Sequence, residues 1–500
     1  MSKTYLPYEP DQPLLLPAAL REWLPDDHLA YFISDVVEQL DLSEITARYE
    51  RERRGGPPYH PKMMVKVLLY GYCVGVASSR RIAQRLHEDI AFRVLAANNT
   101  PDFRTISDFR KDHLEALSGL FLQVLELCQR AWFVKLGHVA LDGTKVKANA
   151  SKHHAMSYGR MKEKERQLAS EVAALLRRAE EADEEEDRQH GKDRCGDELP
   201  EELSFREGRL EKIREAKAAL EAEARAAGEQ AEAEGKGHVG VPEDRAQRNF
   251  TDPESRIMPM SGGKDFQQAY NCQAVVDSAH QVIVAARAIA EASDKEQAAV
   301  MTAEAIGNVG AVPREISADA GYYSSRAVAE LEALGVDPYV APEKTRHGRV
   351  PPPAPRGRIP RHLSPRERMR RKLQTKRGRQ RYALRMATAE PVFGQIKEGR
   401  GFRQFLLRGR EKVQGEWSLI CTGHNLLKLF RFGVVLPYGP GDNGLTVSPN
   451  KAGSRRISGF ARLLASIQRW LYAYRLWTAA VPVARSATLR HRRGNLRTAC

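Results

Sequence analysis

The chain is 500 residues long with a formal charge of +15 at pH 7 and a pI near 9.5. It is too long for a typical single domain and basic enough to favour a polyanionic partner, of which nucleic acid is the commonest. Six scattered cysteines (Cys73, Cys128, Cys195, Cys272, Cys421, Cys500) form no CxxC pair, which argues against a zinc site or a disulfide framework and fits a reducing cytosol. Pro7, Asp11 and Pro13 stand where a signal peptide would need an apolar run, and no stretch approaches a membrane span, so the expected location is cytoplasmic, with no membrane partner.

Residues 1–58 read as an arm followed by helices, with Pro25-Asp26-Asp27-His28 a start signal before a helix from Leu29 to Leu40. Residues 59–135 are helical in pattern: Pro61 to Val76, Arg80 to Ala97 and Thr105 to Ala131. Ser78-Ser79 is placed to cap the second of these, which carries Arg80, Arg81 and Arg85 outward and Ile82, Ala83 and Leu86 inward. Arg110 and Lys111 add charge near the start of the third. Basic helices joined by short turns suit a helix-turn-helix-like DNA-binding domain; a plain helical bundle with a solvated basic face has the same pattern.

At residue 136 the period changes from helix to strand. Gly137 to Leu141 is the first expected strand, followed by an insertion over 155–235 whose helices, Met161 to Glu186 and Leu203 to Ala233, read as a helical hairpin or short antiparallel coiled coil. Its mixed charge fits a solvated surface, a dimer contact or a DNA clamp. Gly235 to Asn249 reads as a flexible return. Strands are expected over Gln268–Asp277, Gln281–Ala288, Glu315–Asp319 and Pro338–Ala341, with helices over Lys295–Val309 and Ser325–Leu334. The Arg- and Pro-rich segment 346–380 is expected to be mobile or to order on DNA. The tail, 431–500, is basic and in part disordered: from Lys451 to Cys500 it has ten Arg and no Asp or Glu, with an amphipathic stretch from Ile457 to Trp477. It fits either a nucleic-acid-binding segment or an extension the core does not require.

Three separated stretches place an acid where a metal-dependent nuclease needs one. Val139 to Leu141 ends in Asp142 and Ile316 to Ala318 ends in Asp319, each an apolar run delivering a carboxylate to a sheet edge. The third holds Glu390 and Lys397, seven residues apart and so on one face if both are helical. Two strand carboxylates and one helix carboxylate suit a pair of divalent cations for in-line attack on a phosphodiester. Mg²⁺ fits, with Mn²⁺ as substitute, because few carboxylates and retained waters satisfy it. Lys145 and Lys147 alternate along the strand after Asp142 and are placed to meet DNA backbone. Asp277 at a hairpin turn reads as structural, as does Asp252 with Arg256.

From Tyr59 to about Phe430 the chain resembles the DDE transposases of bacterial insertion sequences, the group with an RNase H-like catalytic core. The resemblance lies in Leu141 through Ser151, Thr251 through Arg256, Tyr270 through Asp277, and Glu390 through Gly409, which includes Arg403 and Arg408. It implies an α/β fold: an RNase H-like core over 136–430, interrupted by the helical insertion and preceded by the all-helical DNA-binding region. It implies Asp142, Asp319 and Glu390 as the metal-binding triad, and Tyr382, Arg385, Glu390 and Lys397 as the family's Tyr-Arg-Glu-Lys signature. Here four residues separate Arg385 from Glu390 where the commonest version has three, which on an unbroken helix turns Arg385 away unless the chain kinks at Pro391.

The expected function is that of a transposase acting as a homodimer on double-stranded DNA, at the nucleoid when bound. It would bind its element's terminal inverted repeats, cleave with metal assistance and join the 3′ ends to target DNA. The DNA-contacting set expected from charge and resemblance is Arg80, Arg81, Arg85, Arg110, Lys111, Lys145, Lys147, Arg403 and Arg408. The alternative is a catalytically inactive, element-derived DNA-binding protein serving as repressor or scaffold; loss of any of the three acids would have favoured it, and all three are present.

Overall fold

The computed structural model describes residues 20–51, 57–190, 201–233, 240–260, 265–344, 352–360, 362–435 and 446–447. The helical region comprises α1 (Leu29–Gln39), α2 (Ser43–Arg51), α3 (Pro61–Val74), α4 (Ser79–Glu88), α5 (Ile90–Leu95), α6 (Phe103–Asp112) and α7 (Leu114–Arg130). Helix α3 starts with Pro61 in its first turn, where a missing N–H costs nothing, and stops at Gly75, whose φ of +80° suits glycine. It packs on α1 and α5.

Two expected long helices are each divided. Asp89 stays extended, ends α4, and its carboxylate caps α5 by accepting from the Ala91 and Phe92 amides, a contribution of about 1 kcal/mol. Likewise α6 is capped by Asp102 and ends at His113 before α7. Ser78 does occupy the N-cap position of α4, but its side chain makes no capping bond; the Ser79 hydroxyl instead accepts from Arg110.

The sheet begins with β1 (Val139–Lys147). After β2 (Ala155–Ser157) come α8 (Tyr158–His190) and α9 (Glu201–Ala233), then β3 (Gln247–Asn249), β4 (Arg256–Pro259), β5 (Phe266–Asp277), β6 (Ile283–Ile289), α10 (Gln297–Val309), β7 (Glu315–Ala318), α11 (Ser325–Ala333) and β8 (Asp337–Val340). The chain continues through α12 (Pro365–Gln374), α13 (Lys376–Gly394), a π-helical turn (Gln395–Gly399) and α14 (Arg410–Arg431). In the main sheet β1 pairs antiparallel with β5 and parallel with β7, and β7 pairs parallel with β8. On its other edge β5 holds β4 along its first residues and β6 along the rest. β5 is buried almost throughout, α10 packs on β5 and β6, and α13 runs across β1, β5, β7 and β8.

Several expectations change here. β1 continues past Asp142 to Lys147, because β5 supplies a ladder as far as Ala269. The stretch expected to be a flexible return ends in β3, which pairs with β2 and closes the base of α8 and α9. Those two helices pack through Met161, Leu168, Leu210, Ile213, Ala216 and Leu220, joined by Tyr158. Burying each large member is worth about 1.5–3 kcal/mol. Within 346–380, α12 is ordered by a capping box in which Ser364 and Glu367 bond reciprocally, with Pro365 in the first turn. Residues 345–351 and 361 lie outside the described residues, as does the stretch from Ile457 to Trp477.

The expected boundary at 135/136 marks a change of secondary structure and not a gap in packing. Gln129 donates to the Val309 carbonyl, the Lys135 and Leu136 amides donate to Asp277, and Arg400 donates to the Tyr72 carbonyl. Asp277 is thus structural, as its turn position suggests. The described chain through Phe430 belongs to one compact unit; from Arg431 a second unit begins, of which β9 (Val434–Val435) and β10 (Thr446–Val447) are described.

Candidate active site

The parallel ladder between β1 and β7 ends at Ala140 opposite Ser317. Asp142 and Asp319 each lie two residues further along their chains, just past the point where the parallel pairing gives out, the side on which open α/β sheets place their ligands. Asp142 is a mid-strand residue opposite Ala274 of β5, and not strand-terminal as expected. Asp319 leaves β7 and caps a single 3₁₀ turn (Ala320–Tyr322), accepting from the Gly321 amide at 2.7 Å.

Helix α13 brings the third acid. Its first half is fixed to the sheet by Arg377 and Arg381, both 2.9 Å from the buried Glu315 carboxylate at the start of β7. The helix does not break at Pro391, contrary to the proposed escape from the Arg385–Glu390 phase problem. Proline removes the amide that would bond the Ala387 carbonyl, and the Gln281 side chain, from the turn before β6, donates to that carbonyl instead at 2.9 Å. Arg385 reaches both acids by its length: 3.0 Å to Asp142 Oδ2 and 3.4 Å to Glu390 Oε1. Its guanidinium lies over the Tyr382 ring at 5.9 Å.

The electrostatics follow from this crowding. Burial pushes the Asp142 carboxyl up to about 6; Arg385 and the Gly143 amide act against that, while Asp319 and Glu390 add to it. Burial also raises the Tyr382 hydroxyl, with Asp319 and Asp142 contributing in the same direction. Asp142, Asp319, Glu390, Tyr382 and Arg385 therefore form one interacting group. Asp142 and Arg385 are about 15% exposed, whereas Glu390 is about half exposed at the rim.

Lys397 stands apart from that group. From within the π-helical turn its ammonium donates to Thr144 Oγ1 at 3.1 Å and the Lys145 carbonyl at 3.2 Å, so it grips the strand carrying Asp142. Burial lowers its pKa.

Behind Asp142 lies a buried polar network that sequence reasoning missed. Asp294 Oδ1 accepts from Asn271 at 2.7 Å and Gln273 at 2.8 Å, and Tyr322 donates its hydroxyl to Gln273. Burial, then Asp294, Asp142 and Asp319, hold the Tyr322 hydroxyl well above its ordinary range. Gly143 makes room for all of this: a Cβ there would stand 2.6 Å from Gln273 Nε2 and 3.0 Å from Tyr322 Oη. The one sequence signal was three polar residues, Asn271, Gln273 and Asp294, in or beside otherwise apolar strands.

The expected DNA-contacting residues divide. Arg80, Arg81, Arg85 and Lys111 are exposed. Arg110 is corrected: it is 5% exposed, because its guanidinium donates to the Ala77 carbonyl and Ser79 and so holds α6 to the start of α4. Lys145 turns to the Ala292 carbonyl and Asp294, Arg403 pairs with Glu398, and Arg408 donates to the Asn149 carbonyl. Lys147 ends β1, its amide bonded to the Arg403 carbonyl. Asp252 and Arg256, expected as a structural ion pair or a turn, make the turn: the Ser255 amide donates to the Asp252 carbonyl, while the Asp252 carboxylate accepts from Tyr270 and the Gly409 amide and Arg256 pairs with Glu223.

Among the described residues no three His, Cys, Asp or Glu side chains converge closely enough to hold a metal ion as they stand. The donor set nevertheless suits a hard divalent cation: Asp319 and Glu390 both raise the cost of charging Asp142, and the Arg385 guanidinium bridges Asp142 and Glu390 as the local positive charge.

Residues 18–112 match a family model described as a transposase domain (DUF772), and residues 356–430 match one described as a transposase DDE domain. The second match covers Tyr382, Arg385, Glu390 and Lys397 and stops short of both aspartates. No curated protein and no solved structure matches the chain.

Proposed function

Since the chain is a DDE transposase of an insertion element, and so of a class that cuts and joins DNA, we propose that it binds the terminal inverted repeats of its element, cleaves there with divalent metal and joins the freed 3′ ends to target DNA. The observation that carries this reading is that Asp142 lies within electrostatic reach of Asp319, from the adjacent parallel strand, and of Glu390, from the helix laid across both, with Arg385 bridging Asp142 and Glu390. The strand order β6-β5-β1-β7-β8 supports an RNase H-like core, and the exposed Arg80, Arg81, Arg85 and Lys111 support DNA contact by the helical region over 59–135.

Asp142, Asp319 and Glu390 would hold the ions, Mg²⁺ with Mn²⁺ as substitute, and two of them suit the reaction. Such cations neutralise charge on an in-line phosphoryl displacement and acidify the nucleophile. Asp142 is held in place by the Gly143 amide and the network behind it. Arg385 keeps Asp142 ionised without the cation and is positioned to turn its guanidinium to a phosphate oxygen once the acids are otherwise neutralised. Tyr382 supports that guanidinium from below, and Lys397 fixes β1. Two element ends must be cut together, so the reaction calls for a dimer on DNA, acting in the cytoplasm at the nucleoid.

Asp142→Asn, Asp319→Asn and Glu390→Gln test this individually. Each should abolish Mg²⁺-dependent cleavage of a duplex carrying the element end while leaving duplex binding within a few-fold of the parent. Retained cleavage in any one variant removes that residue from the metal-binding set, and retained cleavage in all three rejects the mechanism.

A further inference from the structure

A recess of about 460 Å³ opens where α4, α6 and the segment after the π-helical turn meet, with Leu406 at its far wall. Three guanidiniums line it. Arg80 from α4 and Arg104 from α6 lie against the Phe103 ring, at 5.3 and 5.8 Å, so the aromatic ring holds two exposed cations near one point. Arg110 forms the floor of the recess beneath the surface: its Nη1 donates to the Ala77 carbonyl and its Nη2 to Ser79, and the rest of its guanidinium faces the buried Tyr72 hydroxyl, so it adds charge to the recess without itself reaching DNA.

The same recess includes Ser78 and Ser79 at the N-terminus of the ten-residue α4, where Ser78 supplies no side-chain cap. The positive end of that helix therefore adds to the three guanidiniums. One carboxylate, the exposed Asp108, lines it and leaves the balance positive. A compact oxyanion with several acceptor oxygens matches these donors.

We propose that this recess is a phosphodiester clamp that seats one backbone phosphate of bound DNA. This rests on the reading of the chain as a DNA-acting transposase and refines it: the contact is a built pocket with a buried floor, not a diffuse basic face. Leu406, whose amide is held by the buried Glu416 carboxylate, belongs to the segment that follows Lys397. A phosphate seated here is thereby placed relative to both the helical region and the strand carrying Asp142.

The test uses the full chain with both exposed cations removed, Arg80→Ala/Arg104→Ala, and a 40-base-pair duplex of arbitrary sequence, because phosphate contacts do not read bases. Affinity is measured against salt concentration. Loss of one shared phosphate contact should weaken binding and reduce the log–log salt slope by about one. A slope reduced by about two means that the arginines serve separate phosphates, which overturns the single clamp, as does an unchanged slope. Inorganic phosphate at matched ionic strength is the second arm. If it raises the melting temperature of the parent but not of the variant while the DNA slope is unchanged, the recess takes free phosphate and the DNA assignment is wrong. Failure of the parent to bind any duplex at low salt would instead reject the broader DNA-acting reading.

Discussion

Gly143→Ala isolates the dependence of the catalytic strand on the network behind it. The added methyl would stand 2.6 Å from Gln273 Nε2, 3.0 Å from Tyr322 Oη and 3.1 Å from Asn271 Oδ1. Gln273 cannot swing aside cheaply, since its amide nitrogen is bonded to Asp294, its amide oxygen to Tyr322 and its main-chain carbonyl to Trp417. Overpacking of this kind costs about 1–3 kcal/mol, and a buried hydrogen bond lost in the adjustment adds about 1–3 kcal/mol. Together these predict a destabilisation of about 2–6 kcal/mol, and at about 2–4 °C per kcal/mol a melting temperature lower by roughly 4–24 °C. Asp142, whose Oδ1 accepts from the Gly143 amide, should shift with the strand, and cleavage should fall by at least about tenfold. Scanning calorimetry and a cleavage assay read the two effects, with Gly119→Ala on α7, where a Cβ meets nothing, as the control. A Gly143→Ala protein with the parental melting temperature and cleavage rate would refute the claim that this network is tightly packed against the catalytic strand.

Asp294→Asn should retain shape but lose the charge opposite Lys145, weakening cleavage several-fold with little change in duplex affinity; a loss of affinity equal to the loss of cleavage would contradict a role confined to the site. Arg385→Ala removes the largest influence holding the Asp142 carboxyl down, so in chelator the Asp142 titration followed by NMR should move to higher pH, and an unmoved titration would show the ion pair to be inconsequential. In the parent without metal, the raised Asp142 carboxyl binds its proton more tightly folded than unfolded. Its contribution is present below the unfolded value of 3.8 and is lost as pH rises through about 6, so urea midpoints should decline over that window and Asp142→Asn should lack that component. Ile213→Ala should loosen the α8–α9 pair by about 2–5 kcal/mol without lowering the melting of the sheet, giving a separate early transition; a single cooperative shift would mean that the pair and the sheet unfold together.

Much of this architecture was legible because strand periodicity and short apolar runs ending in Asp are local signals: Asp319 follows the end of β7, whereas β1 runs on past Asp142 because β5 extends its ladder. Helix breaks were harder. Asp89 looks like any polar residue on an amphipathic helix until its carboxylate is seen capping α5. Arg110 sits among residues that periodicity assigns to a basic face, yet it is drawn inward by carbonyl and hydroxyl acceptors some thirty residues earlier in the chain. The grip of Lys397 on β1 was not legible, because nothing in Gln395 through Gly399 announces a π-helical turn. The unbroken passage of α13 through Pro391 depends on Gln281, a residue more than a hundred positions away, and such compensation is invisible to any local pattern. Asp294, after a strand and before a helix, reads like an ordinary cap, and its partners Asn271 and Gln273 are brought to it only by the pairing of β5 with β6.

The ordering of the acids along the chain also sets when this centre can exist. Arg385, which joins Asp142 to Glu390, lies 243 residues after Asp142, and at roughly 5–20 residues per second a ribosome needs about 10–50 s to make that stretch. For about the first half of that interval β1 waits for β5 across the whole length of α8 and α9, a closure whose entropic cost grows only slowly with loop length but whose large sequence separation slows folding. The α8–α9 pair, with partners close in sequence, is free to form meanwhile and shortens the effective gap that β5 must bridge. On the proposed mechanism, strand cleavage would thus be withheld from the nascent chain until α13 has been made and has docked across the sheet.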